Sequence, residues 1–481
     1  MDILGTFWLP LALEAVLATL VSGHVVLHKR DVRAAIGWVG IVWLVPVLGP
    51  LLYWLLGINR IRRRAVKLRP GRLHRQPGQG VPPVEPAEVT AAVEPAAAGH
   101  LTALAALTGR IVSVPLTAGN AVEPLVGGDA AYPAMIAAID GAVATVALTS
   151  YIFDHDRAGL MFADALERAV RRGVNVRVLV DAIGARYSRP RITSVLYERG
   201  VPAREFMRAV IPWRMPYLNL RNHRKILVVD GRVGFTGGMN IRAGCLTAGG
   251  RPPDIVDLHF RVEGPVVAQF VDAFAEDWVF TTGELLDGPD WYPPLDAAGE
   301  TFARGVADGP DEDFEKTRWA IMGVLTRAQS RVRIVTPYFL PDQTLVTSLD
   351  LAALRGVQVD IVLPARSNLR LVQWASMAQV PQVLERGCRV WLTPPPFDHA
   401  KLMVVDGGWS LIGSTNWDPR SLRLNFEFNV ECYHAGLAAR LEALAEARIA
   451  TARELTLDGV AARPLPVKVR DGVARLFSPY L

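Results

Sequence analysis

Two long apolar runs open the chain, and short β-branched runs alternating with helical stretches fill the rest. Residues 3–27 are mostly apolar, interrupted by Glu14 and His24, and residues 34–58 carry no charge at all. A helix of about 20 apolar residues crosses a hydrocarbon core of roughly 30 Å, so residues 1–59 are expected to form two membrane helices. Trp8, Trp38, Trp43, Tyr53 and Trp54 are candidate interfacial anchors. Pro46 and Gly49-Pro50 would bend or break the second segment, which leaves a shallow membrane hairpin as the alternative.

Beyond residue 100 the pattern changes to β-α-β and then repeats. A helical stretch (Leu160 to Arg171) leads through Arg172-Gly173 into Val174-Asn175-Val176-Arg177-Val178-Leu179-Val180-Asp181. Arg355-Gly356 leads in the same way into Val357-Gln358-Val359-Asp360-Ile361-Val362-Leu363. Glu198-Arg199-Gly200 matches Glu385-Arg386-Gly387, and Tyr151-Ile152-Phe153-Asp154 matches Tyr338-Phe339-Leu340-Pro341-Asp342. Helix, Gly stop, then a Val-rich strand predicts α/β units with parallel or mixed sheets. The expected organisation is a duplicated bilobal α/β fold with one half over 116–290 and the other over 310–481. A Gly-, Pro- and Asp-rich connection is expected over 281–312. The Pro-, Ala- and Gly-rich stretch from 76 to 98, within a linking region 60–115, reads as a flexible tether.

Composition adds two constraints. A 51% hydrophobic content in 481 residues is high for a soluble protein and agrees with a membrane portion. Net charge is only +5, so charge matters through its placement. Arg60-Ile61-Arg62-Arg63-Arg64, Lys67, Arg69, Arg72 and Arg75 follow the second apolar run with no acidic residue among them. Such a run suits anionic lipid head groups and predicts a cytoplasmic catalytic portion. Cys245, Cys388 and Cys432 are widely spaced, form no CxxC, and read as small hydrophobes in a reducing compartment.

The chemistry lies in a stretch that occurs twice, as His223-Arg224-Lys225 with Asp230 and as His399-Ala400-Lys401 with Asp406. Both read H-x-K-x₄-D, and seven residues after each Asp comes Gly237-Gly238-Met239-Asn240 or Gly413-Ser414-Thr415-Asn416. Residues two apart on a strand share a face, so each His projects beside its Lys. An imidazole, an ammonium and an amide together suit a phosphoryl group: cation and amide hold oxygens while the imidazole attacks or donates a proton. Asp230 and Asp406 sit at strand-to-Gly turns, where anchoring the turn is as good an account as proton transfer. Asp257 and Glu427, at the heads of strands, are candidates for orienting the imidazoles. Asp154-His155-Asp156 reads as a polar loop after a strand rather than a metal site.

The paired signature resembles that of the phospholipase D superfamily, and the resemblance extends across the chain to bacterial cardiolipin synthases of that type. It rests on both H-x-K-x₄-D motifs, on Asn416-Trp417-Asp418-Pro419-Arg420-Ser421, on Trp43 with Pro46–Gly49, and on the tail Arg475-Leu476-Phe477-Ser478-Pro479-Tyr480-Leu481. It implies a phospholipase D-like bilobal α/β/α fold whose two signatures share one site. The catalytic set would be His223, Lys225, Asp230, His399, Lys401 and Asp406, with Asn240 and Asn416 on the phosphate and no metal or cofactor. It further implies that His223 attacks phosphorus, that His399 serves as acid and base, and that phosphatidylglycerol becomes cardiolipin in the bacterial plasma membrane. A membrane phospholipase D releasing phosphatidic acid, and a catalytically inactive lipid-binding module, are the alternatives. No basic, aromatic-rich stretch points to nucleic acid.

Overall fold

The computed structural model describes residues 3–29, 32–57, 84–207, 220–310 and 315–478. It divides into two units, residues 1–67 and 68–481.

In the first unit the helix Ile3–His28 runs 26 residues, about 39 Å at 1.5 Å per residue. Among the described residues it is the one helix long and apolar enough to cross a membrane, over Leu11–His28. The second apolar segment departs from a spanning helix. Val32–Leu44 is helical for only 13 residues. The chain then turns at Val47, whose φ of 59° no continuing helix can hold. A short helix, Leu48–Leu52, follows, and a side chain on Gly49 would lie 2.5 Å from the Ile41 carbonyl oxygen. Pro46 starts the break, and glycine permits the chain to fold back on its own preceding helix. The basic run 60–75 and the first part of the tether lie outside the described residues.

The second unit is built on two copies of one strand pattern. In the first half the strands are β1 (Thr117–Val126), β2 (Thr145–Ser150), β3 (Asn175–Asp181), β4 (Ala203–Phe206), β5 (Ile226–Val229), β6 (Val233–Gly237), β7 (Ile255–Val256) and β8 (Leu258–Glu263). In the second they are β9 (Thr301–Asp308), β10 (Arg331–Val335), β11 (Gln358–Pro364), β12 (Arg389–Thr393), β13 (Phe397–Asp398), β14 (Leu402–Val405), β15 (Trp409–Gly413), β16 (Glu427–Tyr433) and β17 (Arg453–Leu455). The halves do not form separate sheets. One mixed sheet of fifteen described strands runs β17-β12-β11-β10-β14-β15-β16-β9-β1-β8-β6-β5-β2-β3-β4, with β1 and β9 antiparallel at the seam.

The signature strands are buried on both faces. Ile226 and Val228 enter one hydrophobic cluster and Leu227 and Val229 another, as the two-residue period of a strand requires. Leu402 and Val404 share a cluster with Ile226, Val228 and Phe428, so the two halves have a common core.

Two expectations about boundaries need correction. Residues 84–115 are not a tether: Pro86–Val93 and Thr102–Val112 are helices, and Val89, Val93, Leu101 and Leu104 pack with Ile321, Val324 and Trp409. Their Ala- and Pro-rich composition hides an apolar face. Likewise residues 301–308, assigned to the connection, form β9 at the centre of the sheet, so the second half begins before residue 310.

Candidate active site

Each signature begins where its strand β5 or β14 is about to enter the core, and each is clasped by the other half. Before β5, the His223 N–H donates to the Phe426 carbonyl (2.8 Å) and the Phe426 N–H to the Arg221 carbonyl (2.8 Å). Before β14, β13 pairs in parallel with β7, and the His399 N–H donates to the Val256 carbonyl (2.7 Å). These two short pairings set each imidazole beside the acid of the opposite half. His223 Nδ1 lies 3.0 Å from Glu427 Oε2, and His399 Nδ1 lies 2.7 Å from Asp257 Oδ2. With Nδ1 committed to a carboxylate, Nε2 of each ring is left for the substrate.

Both imidazoles line one cavity of about 700 Å³, together with Asn240, Asn416 and Asp257. Tyr151 and Tyr338, the repeated tyrosines, stand beside His223 and His399 with ring centroids 5.1 Å and 6.2 Å away. Arg221, Arg242, Arg370 and Arg420 also line it, so the walls are rich in anion-binding groups. Arg242 is paired with Asp154 at 3.0 Å. Asp156 caps the helix Arg157–Arg171 through the Gly159 N–H (3.0 Å), so the Asp154-His155-Asp156 stretch is spent on structure.

The tail glycines are required by close packing. Gly237 and Gly413 have φ of 151° and 150°, and a Cβ there would lie 2.5 Å from the Leu258 carbonyl oxygen and 2.4 Å from that of Phe428. These contacts bring β6 against β8 and β15 against β16, delivering Asn240 and Asn416 to the cavity. The register also equates the two acids. Gly237 faces His259 and Gly413 faces Asn429, so Asp257 and Glu427 each precede that partner by two residues. Their unequal distances from the asparagines reflect a longer loop in the first half.

Not every expected residue reaches the cavity. Lys225 and Lys401 are buried behind the imidazoles, each amine donating to the carbonyl of its own histidine, at 2.7 Å for Lys225. Asp230 and Asp406 lie at the far ends of β5 and β14, outside the lining of the cavity, where their contacts are structural. Asp230 accepts the backbone N–H groups of Val143, Ala144 and Thr145 at 3.0, 2.7 and 2.8 Å. Asp406 accepts those of Gln329, Ser330 and Arg331 at 2.8, 2.9 and 2.7 Å, plus His100 Nε2 at 2.7 Å. Both sit in left-handed Asp-Gly turns, so they anchor the turn to the neighbouring strand.

Electrostatics separate the two arms. Burial, then the ammoniums of Lys225 and Lys401, hold His223 well below the usual imidazole range. Burial and Lys401 push His399 down to about 4, while Asp257 opposes them. Asp257 itself, though buried, is held low by Lys401 and His399, and it stays ionised. Glu427 is pushed up to about 7 by burial, against the pull of Lys225 and the hydrogen bonds from Ser414 and Asn425. His399 therefore has an ionised carboxylate beside it, whereas burial raises the carboxyl beside His223 and weakens its negative charge near neutral pH. The imidazolium is better supported at His399 and the neutral ring at His223.

Sequence reasoning missed several members. Arg224, fully buried, donates to the Glu427 carbonyl (3.2 Å) and pairs with Asp277 (3.1 Å). Ser414 donates to Glu427, and Asp418, pushed up to about 6 by burial, lines the cavity. The position of Arg224 within a duplicated motif was a signal, since its counterpart is Ala400.

Comparison with known proteins agrees with this architecture. The family model described as "Cardiolipin synthase, PLD-like domain" matches residues 135–278 and 321–449, and that described as "Phospholipase_D-nuclease N-terminal" matches residues 16–57. Cardiolipin synthase A of Pseudomonas aeruginosa is 34% identical over 472 residues, covering 97% of this chain and 94% of that protein. A cardiolipin synthase of Geobacillus kaustophilus is 31% identical over 483 residues, covering 100% and 94%. Among solved structures, phosphatidylserine synthase of Haemophilus influenzae superposes with a TM-score of 0.61 at 16% identity, over 79% of this chain and 100% of that one, and shares the fold. With two signatures in one cavity and relatives matched from end to end, the chain belongs to the cardiolipin synthase family of proteins with a PLD-like domain.

Proposed function

We propose that this chain is a phosphatidyltransferase that joins two phosphatidylglycerol molecules into cardiolipin and releases glycerol. The observation that carries the reading is the crossed pair of imidazole–carboxylate contacts on one cavity, each histidine held by an acid of the other half.

In the proposed sequence, His223 Nε2 attacks the phosphorus of a donor phosphatidylglycerol. The bond to its head-group glycerol breaks, and His399, as imidazolium, protonates the leaving alkoxide. The negative phosphodiester raises the proton affinity of His399, which Asp257 supports. In the second half-reaction neutral His399 takes a proton from the glycerol hydroxyl of an acceptor phosphatidylglycerol. That oxygen attacks phosphorus, the P–N bond breaks, and His223 is restored. One proton enters and one leaves, so the cycle closes. Asn240 and Asn416 hold phosphate oxygens from the cavity wall, and Lys225 and Lys401 supply positive potential from behind the rings.

The membrane assignment follows from the same reading. Association comes through the N-terminal apolar unit, and the basic run 60–75 favours a cytoplasmic catalytic portion. Incubating the full chain with phosphatidylglycerol in mixed micelles and resolving the lipids tests the proposal. Cardiolipin with equimolar glycerol supports it. Phosphatidic acid alone identifies a hydrolase, and a folded protein without turnover identifies a binding module.

A further inference from the structure

The last described helix, Leu465–Leu476, turns its apolar side outward. Only Asp471 and Ala474 are buried on it, and Ala474 packs with Leu340, Val372 and Ala375. On the other side Leu465, Val469, Val473 and Leu476 recur at helical spacing, continued by Phe477, with exposures from 50% at Val473 to 76% at Leu476. The charges around this stripe are of one sign. Lys468, Arg470 and Arg475 are exposed, whereas Asp471, the helix's one acid, is buried and paired with Arg463 and Arg470.

The inner side of this helix backs onto the catalytic cavity. Val372 and Tyr338, which join Ala474 in its cluster, also line the cavity. The helix beneath, Arg370–Leu384, begins at the cavity with Leu369, Arg370 and Leu371, and both leucines are about half exposed.

We propose that the Leu465–Leu476 helix is an interfacial anchor. Its stripe inserts at the head-group boundary of a bilayer containing anionic phospholipid, and its flanking cations engage the phosphates. The inference rests on the lipid reading of the cavity. Two features select a lipid surface over a second copy of the chain. The helix that carries the stripe packs through Ala474 against Val372 and Tyr338, which also line the site that receives lipid. A twofold contact along the stripe would also bring the exposed cations of one helix toward those of the other, with no exposed acid on the helix to meet them.

The test uses the full chain reconstituted in phosphatidylglycerol vesicles. The native cysteines are buried, so Val469→Cys, Val473→Cys and, as an exposed control, Glu454→Cys accept an environment-sensitive fluorophore. The stripe probes should be quenched by brominated acyl chains and shielded from iodide, with Glu454→Cys showing the reverse. Equal iodide access at all three positions overturns the proposal. So does shielding that ignores brominated lipid: with energy transfer between labelled copies it identifies a dimer contact, and without it a cover from the chain's own sequence. A functional arm separates docking from support of the cavity. Val469→Glu/Val473→Glu should slow turnover of vesicle lipid about tenfold and leave turnover of monomerically dispersed short-chain phosphatidylglycerol unchanged. An equal loss on both substrates overturns it. Absence of cardiolipin synthesis by the unaltered protein would remove the proposed function, while the quenching result would still report on the helix.

Discussion

The two arms of the site are built from one plan with different parts. In the second half a Ser follows the tail glycine, and Ser414 donates to Glu427. In the first half Gly238 takes that place, because a Cβ there would lie 2.4 Å from Asp257 Oδ1. A long acid with a hydroxyl beside it therefore serves His223, and a short acid with no hydroxyl serves His399. The difference is one of charge: Glu427 sits near 7, while Asp257 is held low and ionised. The halves repeat one plan, and small differences around the acids give the two rings different electrostatic surroundings.

The sharpest break of that comparison removes the rings. His223→Ala and His399→Ala should each lower kcat by about 10⁴-fold. They separate on a phosphodiester with a p-nitrophenolate leaving group, which departs without a proton. His399→Ala should keep the burst of nitrophenolate and trap a phosphohistidine at residue 223, and His223→Ala should lose both. A burst that survives in His223→Ala instead would reverse the roles.

The carboxylates come next. Asp257→Asn removes the charge that favours protonated His399 and should cost about 10³-fold in kcat. Glu427→Gln replaces a group that burial raises to about 7 and should cost about tenfold near neutral pH. That loss should grow above pH 7, where the carboxyl it replaces becomes ionised. Equal losses at all pH values would erase the distinction between the arms.

A smaller effect comes from pH alone. Burial holds Lys225 down to about 7 and Lys401 to about 8, despite Glu427 and Asp257. The free site therefore loses positive charge as pH rises through this range. A bound phosphodiester favours the protonated amines and raises both values. kcat/KM should fall above about pH 7–8, by up to about tenfold per unit, while kcat holds to higher pH. Limbs that coincide would show that the lysines do not sense the substrate.

Asp406→Ala should leave kcat of the folded protein within about twofold while lowering stability by about 3 kcal/mol, read as a fall in Tm. It strands three backbone N–H groups and His100. A large kcat loss in a protein with unchanged Tm would return Asp406 to the chemistry.

Much of this was legible in the chain. The doubled H-x-K and the asparagines stand out because the same offsets occur twice, the two acids stand at the heads of strands at unequal offsets, and a β-branched run bounded by Asp-Gly can hardly be other than a buried strand. What could not be read was the crossing. It depends on β7 against β13 and on Asn222 against Phe426, contacts of a residue or two with no periodicity to betray them. The helix Pro86–Val93 escaped for the opposite reason, since its two inward valines are diluted by alanine and proline. β9 escaped because a Gly-rich surrounding suggested a loop, although its eight residues form the centre of the sheet. Pro46 did announce the broken second apolar helix.

The crossing has a further consequence for how the two halves depend on each other. A protein made by fusing two copies of the second half would give both rings a Glu partner with a Ser beside it. Such a molecule would keep both motifs, yet neither ring would have the standing negative charge that Asp257 places beside His399. Mirror-image arms would leave the two rings electrostatically equivalent, so the inequality between Asp257 and Glu427 is what tells them apart.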